Sequence, residues 1–413
     1  MKYVALDNNK YDTFIVLLLA STIFGDIGGA FQVVRVLSIL LLPYVINLKW
    51  KNNVYLKRVV HFFVFWYLYA FVSILWSPDT AEGFKELIYY PVHMLSFVEL
   101  CVFSKEAINP IKSICKGWLW FSILTSIVGI WEITTDQHLS MSALGDNAVL
   151  FDDGQFVIHH YASVTFRNYN NYVVRLVSSI PFIICLLYDD NTKIRYISFG
   201  TLGAIVYIMA MNASRGGIIC LAISLFYFLY YSRNNKRNGL GLYLSVLFAI
   251  VLIFMNWEIL SHNIMIRTQS SGMLEDDSRL DLIYDGIKVV FDNYYGFGAG
   301  IGGGFKAMES YRNNGLSATH NLFLEIFLYF GLFVTILTVI ALYKLYKKGL
   351  KVSYKNRRMV IVITLMIMLP FAVIDSGYLL SPQTWLYFAS IFVFAYYDVF
   401  DVIYNSTLKY KQK

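Results

Sequence analysis

The fold of this chain is decided by residues 257–319, which read WEILSHNIMIRTQSSGMLEDDSRLDLIYDGIKVVFDNYYGFGAGIGGGFKAMESYRNNGLSAT. This stretch is polar and rich in glycine, whereas the sequence on both sides of it is strongly apolar. It ends at His320-Asn321, where the next apolar segment begins. A long polar segment between membrane spans favours an enzyme that holds a polar head group at a membrane surface over a transporter.

The composition of the whole chain is that of a membrane protein. Of the 413 residues, 57% are hydrophobic and 15% charged, and the mean hydropathy is +0.55. Soluble domains carry about 25% charged residues. Aromatic residues make up 17% of the chain and many lie near the ends of apolar segments, as in the interfacial belts of membrane proteins. We therefore predict an all-α polytopic membrane protein.

The apolar segments predict the number and grouping of the spans. A helix needs about 20 apolar residues to cross a bilayer, and about twelve segments qualify. These segments lie near residues 13–25, 32–48, 59–76, 87–104, 114–132, 171–188, 195–212, 214–232, 240–257, 320–343, 358–375 and 383–400. The prediction is a membrane bundle over 1–256, a large extracytoplasmic loop over 257–319 between the ninth and tenth spans, and three further spans with a cytoplasmic tail over 320–413.

The basic residues predict the orientation. Most of the 34 Lys and Arg residues fall in every second loop, which places both termini in the cytoplasm. The net charge of +7 is then a topological signal and does not point to nucleic acid. Some cations lie on the disfavoured side or within the membrane, where binding an anionic group is the leading explanation. They are Arg35, Lys85, Arg167, Arg175, Arg215, Arg267, Arg279, Lys288, Lys306 and Arg312.

Neither a metal nor another cofactor is indicated. The four cysteines lie in or beside apolar segments with no CxxC spacing, so we expect neither a disulfide framework nor structural metal. The pair His159-His160, near Asp152 and Asp153, lacks a defined ligand spacing.

The turn Ser214-Arg215-Gly216 separates two predicted spans at the outer surface. The guanidinium is a planar fork of donors that matches phosphate oxygens, and a helix start adds unpaired amides. We therefore predict that Arg215 binds phosphate, with Ser214 and Gly216 supporting the turn. The alternative is an arginine that reaches towards lipid head groups.

A second candidate lies within the 257–319 segment. Ser278-Arg279 predicts a helix start with Ser278 as its cap, placing Arg279 beside free amides. Apolar residues then recur at helical spacing, which predicts an amphipathic helix against the membrane surface or the bundle. They are Leu280, Ile283, Ile287 and Val290. The following glycine-rich run contains Gly298 and Gly300, whose backbone can approach a phosphate closely; the alternative is a flexible connector.

The third candidate is His320 at the outer end of the tenth span. Nearby positive charge disfavours imidazolium, and a neutral imidazole can accept a proton from a hydroxyl as a general base. Asn321 and Glu325 lie on one helical face and can fix the local network. A structural role for His320 is the alternative. The charges Glu99, Arg175 and Asp375 are also candidates for pairing or function, with partners unassigned.

Together these motifs resemble the O-antigen polymerase and O-antigen ligase family of bacterial membrane glycosyltransferases. Four stretches carry the resemblance, in the order in which the family has them. They are Thr165–Asn171 followed by Pro181, Ser214–Gly217, Arg279 with Gly296–Gly300, and His320–Leu324 followed by Gly331.

The resemblance implies a GT-C-like fold and metal-independent transfer of a glycan from undecaprenyl diphosphate at the outer leaflet. It implies that Arg215 and Arg279 bind the diphosphate and that His320 activates the acceptor hydroxyl. Asn171, Ser214, Gly216, Gly298, Gly300 and Asn321 support them. The implied partners are lipid-linked glycans, the bilayer, a chain-length regulator and a flippase.

The sequence leaves the reaction open. In a polymerase the acceptor is the sugar of another lipid-linked repeat unit, and in a ligase it is lipid A core; we favour the polymerase of the bacterial plasma membrane. A flippase or exporter of lipid-linked sugars is the alternative of another class. It would be expected to show short loops, paired halves and charges along a central cavity.

Overall fold

The computed structural model describes residues 10–25, 27–48, 53–139, 160–166, 168–232, 247, 250–251, 253–274, 276–312 and 318–411. Within these ranges 81% of the residues are helical, and no strand occurs. The helices are α1 (Lys10–Ala20), α2 (Val33–Ile46), α3 (Val54–Ser73), α4 (Thr80–Glu106), α5 (Pro110–Thr135), α6 (Tyr169–Leu186), α7 (Thr192–Met211), α8 (Arg215–Ser232), α9 (Trp257–Leu274), α10 (Asp276–Lys288), α11 (Gly304–Tyr311), α12 (Leu322–Leu350), α13 (Lys355–Ala372) and α14 (Pro382–Lys411).

Apolar helices of membrane-spanning length dominate the architecture. Among the described residues, seven helices are long and apolar enough to cross a membrane. They are α3 with the 3₁₀ turn after it, α4, α5, α6, α7, α8 and α12. Extensive contacts join α1 to α5, α4 to α14, and α8 to α13. The predicted all-α polytopic membrane fold is confirmed, whereas the count of about twelve spans stays a prediction.

The segment 257–319 is mostly helical where it is described. It contains α9 and α10, a π-helical turn at Val289–Asn293, and α11. Because α10 begins at Asp276, Ser278 lies inside the helix, and its predicted capping role is wrong.

The predicted apolar residues of α10 lie on more than one face of the helix. Leu280 is 72% exposed, whereas Leu282 and Val290 are buried. The residues at helical spacing therefore do not all belong to the face that packs on the protein.

The glycine-rich run packs against a break in α12. Gly331 has φ 70° and ψ −171°, a conformation that only glycine adopts readily, and the helical ladder is interrupted there. Ala299 N donates to Leu328 O at 2.7 Å, and Gly300 N donates to Tyr329 O at 3.0 Å. The run thus satisfies carbonyls next to the break.

The same contacts show how Gly298 and Gly300 pack within the protein. A Cβ on either glycine would meet backbone atoms, of Tyr329 and Gly331 at Gly298 and of Ser73 at Gly300. The amide of Gly300 is already bonded within the protein. Both glycines allow close packing of backbone on backbone, and their predicted approach to a phosphate stays a prediction.

Some predicted features lie outside the described residues. They include Arg167, His159, Asp152, Asp153 and most of the segment 240–257.

Candidate functional site

Residues from three of the predicted motifs contact the connection between α13 and α14, residues 373–381. This α13–α14 connection contains Asp375, which is 3% exposed, and Tyr378, which is fully buried. Tyr378 Oη donates to Phe371 O at 2.5 Å and accepts from Asp375 N at 3.2 Å. Burial raises the pKa of Tyr378 well above its ordinary value, so its hydroxyl stays a neutral donor.

Asn171 binds the connection from α6. With its amide oriented to satisfy its neighbours, Asn171 Nδ2 donates to both carboxylate oxygens of Asp375 and to Asn168 Oδ1 at 3.0 Å. Asn168 also caps α6, because its side chain accepts from Asn171 N at 2.9 Å. A buried carboxylate needs such donors to offset its loss of hydration. This contact assigns a partner to Asp375, while the supporting role of Asn171 in the site stays a prediction.

The Ser214-Arg215-Gly216 turn approaches the same connection. α8 begins at Arg215, which is exposed, whereas Ser214 is 3% exposed. A Cβ on Gly216 would lie 2.8 Å from Ile374 Cγ1, closer than ordinary contact. Gly216 is therefore required for close packing. Arg215 lies beside first-turn amides that have no acceptor within the helix, and the anion site expected there stays a prediction.

Buried asparagine side chains, first among them Asn212, hold this turn through hydrogen bonds to the backbone. Its Oδ1 accepts from Ala162 N at 2.7 Å, and its Nδ2 donates to Ala162 O at 2.9 Å. From α9, Asn263 Nδ2 donates to Met211 O at 3.1 Å. These polar side chains are fully buried, so the turn is held by buried hydrogen bonds on two sides. The sequence placed Asn212 in the turn without indicating this role.

His320 lies immediately before α12, with φ 42°. Asn321 caps the helix, since its Oδ1 accepts from Phe323 N at 2.9 Å and Leu324 N at 3.1 Å. The left-handed backbone of His320 is uncommon for a residue with a Cβ. The cap and this backbone conformation together fix the direction in which the chain enters α12.

Glu325 ties this helix start to the α13–α14 connection. Its carboxylate is 5% exposed and accepts from Tyr378 N at 3.0 Å and from Leu379 N at 2.9 Å. The sequence predicted that Glu325 would fix the local network. The structure shows that the network reaches the residues before α14 through two charge-assisted hydrogen bonds.

Arg279 lies in α10, where the structure describes its backbone. Seven residues later, a Cβ on Gly286 would lie 2.9 Å from Leu324 Cδ1 in the first turn of α12. Residues seven apart share a helical face, and the separation along the axis is about 10 Å. The backbone of Arg279 therefore lies on the side of α10 that faces α12.

Two buried arginines also lie near the connection. Arg175 is 7% exposed, and its Nη1 is 3.4 Å from Thr384 Oγ1, which is a long contact. Arg35 Nε donates to His93 Nε2 at 3.0 Å, and its Nη2 donates to Leu380 O at 3.3 Å. The sequence singled out both arginines but not these partners, because the contacts join distant helices.

An apolar groove of about 390 Å³ leads away from this site between α3, α4, α12 and α14. Its lining includes Leu322 and Leu379 at the site and Arg58 and Lys344 at the other end. Aromatic side chains line the length between them, namely Phe62, Phe63, Trp66, Phe97, Trp385 and Phe388. The apolar, largely aromatic lining of the groove suits a hydrocarbon chain.

Metal binding has no candidate among the side chains that the structure describes, since no three His, Cys, Asp or Glu residues cluster there. The expectation of metal-independent chemistry stays a prediction.

Comparison with known proteins supports the resemblance. Residues 200–339 match the model of the O-antigen ligase family. The chain is also 25% identical over 320 residues to the teichuronic acid biosynthesis protein TuaE of Bacillus subtilis (strain 168). That match covers 73% of this chain and 64% of TuaE, which is less than two thirds of the relative's length. No solved structure matches the chain significantly.

The resemblance to the O-antigen polymerase and ligase family is thereby confirmed, and it rests on residues 200–339, which match the O-antigen ligase family. The matched range contains the Ser214-Arg215-Gly216 turn, Arg279 and His320.

Proposed function

We propose that this protein is a polysaccharide repeat-unit polymerase of the bacterial plasma membrane. It transfers a glycan from undecaprenyl diphosphate to a sugar hydroxyl of another lipid-linked repeat unit at the outer leaflet. Both termini are cytoplasmic, and the site described above is extracytoplasmic. The observation that carries the proposal is the convergence of Asn171, Gly216 and Glu325 on the α13–α14 connection.

The reaction is a displacement at the anomeric carbon of the donor sugar. His320 accepts the proton of the attacking hydroxyl while the bond from the anomeric carbon to the diphosphate oxygen breaks. Arg215 and Arg279 bind the diphosphate and stabilise the negative charge that builds on it as it leaves. Charge compensation by guanidinium groups makes diphosphate a sufficient leaving group without a metal ion.

The fixed entry into α12 supports the role of His320. Catalytic groups act efficiently when surrounding contacts hold their geometry. Here the Asn321 cap and the hydrogen bonds of Glu325 to Tyr378 and Leu379 hold the chain on the C-terminal side of His320. Asp375 is held in the same connection by Asn171.

The apolar groove supports a polyprenyl donor. Leu322, two residues after His320, lines it, and so does Leu379, which binds Glu325. A hydrocarbon tail in the groove would place its diphosphate near the start of α12. The α3 and α12 walls of this groove belong to membrane spans, so a lipid enters it from the bilayer.

O-antigen ligase activity is the second candidate, favoured by the description of the matching family. Both reactions use the same donor and the same proposed site and differ in the acceptor. In either case a flippase that delivers the lipid-linked glycan and, for the polymerase, a chain-length regulator are the proposed partners.

The test is the surface polysaccharide of a strain lacking the gene, separated by gel electrophoresis. A polymerase defect gives products of a single repeat unit, which the wild-type gene restores to long chains. Accumulation of unattached polymer would identify a ligase. An unchanged ladder of chain lengths would refute both proposals.

A further inference from the structure

Helix α10 has three distinct faces. One face packs on the protein through Leu282, which is 3% exposed, and Gly286, which contacts Leu324. A second face is acidic and carries Asp281 and Asp285. A soluble amphipathic helix would need only these two faces.

The third face is a stripe of large apolar side chains that the described protein leaves at least 41% exposed. Leu280 is 72% exposed, Tyr284 58%, Ile287 41% and Phe291, in the π-helical turn that follows, 48%. The spacing i, i+4, i+7 and i+11 places these side chains within about 60° of one another around the helix. Aligned exposure of this kind marks an interaction surface, whereas single exposed apolar residues do not.

This exposed stripe continues onto the lipid-facing surface of the spans. The ring of Phe291 lies 5.8 Å from that of Phe327 in α12. Just beyond the α12 break, Leu332 is 44% exposed and Phe333 58% exposed, as expected for side chains of a membrane span.

The glycine-rich run connects the stripe to a second span, α3. Phe297 is 61% exposed, and its ring lies 6.5 Å from that of Trp76, which ends the α3 span. Tyr69 Oη in α3 donates to Phe297 O at 2.7 Å. The run also adjoins the stripe, because a Cβ on Gly296 would lie 3.7 Å from Phe291 Cε1. The stripe therefore adjoins exposed apolar side chains of α12 and, through the run, the end of α3.

The polar atoms bordering the stripe fit the boundary between lipid and water. Lys288 Nζ lies 4.3 Å from the centre of the Tyr284 ring. Tyrosine and lysine favour this boundary, because their apolar parts can lie in lipid while their polar ends stay hydrated. A second copy of the chain would account for an apolar stripe but not for its continuity with lipid-facing spans.

We propose that α10 lies in the outer-leaflet interface of the bilayer, with Leu280, Tyr284, Ile287 and Phe291 inserted among the lipids. The helix is then held between the membrane on one side and α12 on the other. This contact fixes the rotation of α10 and keeps the side bearing the backbone of Arg279 towards α12. It concerns position in the membrane and does not depend on the reaction that the protein catalyses.

The test compares neighbouring positions on different faces. Single cysteines replace Ile287 and Phe291 on the stripe, with Asp281→Cys and Asp292→Cys as matched exposed controls. The native cysteines are buried or half-buried, so the labelled wild-type chain gives the background. Each variant is labelled with an environment-sensitive fluorophore and reconstituted in phosphatidylcholine–phosphatidylglycerol vesicles, with or without a nitroxide on the acyl chains.

We expect the nitroxide lipid to remove most of the fluorescence at positions 287 and 291 and little at 281 and 292. Aqueous iodide should show the opposite order. Equal iodide quenching at 287 and 281 would overturn the proposal, because the stripe would then face water. Protection from both quenchers, together with energy transfer between labelled copies, would overturn it in favour of a protein–protein contact.

Discussion

Replacing Gly216 by alanine tests whether the turn before α8 positions the α13–α14 connection. The new Cβ would lie 2.8 Å from Ile374 Cγ1, about 0.6 Å inside the 3.4 Å at which ordinary contact begins. Overpacking of a filled interior typically costs about 1–3 kcal/mol. Ile374 is 5% exposed and precedes Asp375, so the strain is transmitted to the residue that Asn171 binds.

Gly216→Ala is predicted to destabilise the protein, whereas replacing glycine by alanine within a helix normally stabilises it. Alanine in a helix is normally more stable than glycine by about 0.5–1 kcal/mol. Gly200→Ala in α7 is the matched control, because no atom lies within 4 Å of the position that a Cβ would occupy there. We therefore expect Gly216→Ala to lower both the thermal unfolding midpoint and the amount of long-chain polysaccharide, while Gly200→Ala leaves both unchanged or raises the midpoint.

A second substitution identifies the contact. Ile374→Ala removes the clashing atoms at the cost of a cavity, so the double variant Gly216→Ala/Ile374→Ala should be less impaired than the sum of the two single variants. A coupling of about 1 kcal/mol or more is expected for residues in direct contact. The reasoning is refuted if Gly216→Ala behaves like Gly200→Ala, or if the effects of the two substitutions simply add.

Further predictions concern the proposed chemistry and are read from surface polysaccharide on gels at equal protein level. His320→Ala should abolish polymer formation, because no general base remains. Normal long chains from this variant would show that His320 is not the general base. Arg215→Lys should be strongly impaired, because the point charge of lysine does not replace the planar guanidinium. Full activity of this variant would show that Arg215 acts only as a topological anchor. Asn171→Asp should impair activity at neutral pH, because it sets a carboxylate against Asp375, whereas an unaltered product would show that this contact is dispensable. Chelation of divalent metals should leave activity of the purified protein intact, and loss restored by Mg²⁺ or Mn²⁺ would identify a metal-dependent transferase.

Local signals in the sequence predicted the parts of the structure that depend on short-range physics. Long apolar runs predict spans because the bilayer leaves the backbone few alternatives to a helix. The start of α12 was predictable for a similar reason, since Asn321 bonds to amides only two and three residues away. The place of Arg215 at the start of α8 follows from the turn itself.

The α13–α14 connection was not predictable as the meeting point of the site. Glu325 binds Tyr378 across 53 residues of sequence, and nothing in either local sequence specifies the other. Asp375 was visible only as a charge that needed a partner. A buried charge signals that a partner exists, but the packing of the helices decides which residue it is.

Two sequence patterns, the glycine-rich run and the apolar spacing in α10, are each compatible with more than one structure. Glycine allows close approach of any group to the backbone, so Gly298 and Gly300 have the same sequence signature whether phosphate or another helix approaches them. In α10, Leu280 and Ile287 belong to an exposed stripe, whereas Val290 belongs to the buried face. Hydrophobic periodicity cannot separate two apolar faces when one of them meets lipid.

The break at Gly331 has a consequence for biogenesis. A broken helix entering the hydrocarbon on its own would carry carbonyls without intrahelical donors, and each such group costs several kcal/mol in lipid. The donors that satisfy Leu328 and Tyr329 come from Ala299 and Gly300, which are synthesised earlier and, in the proposed topology, cross the bilayer before α12 inserts. Insertion of α12 in that topology is therefore coupled to prior export of the segment before it, so a delay in that export leaves α12 and the helices after it unassembled.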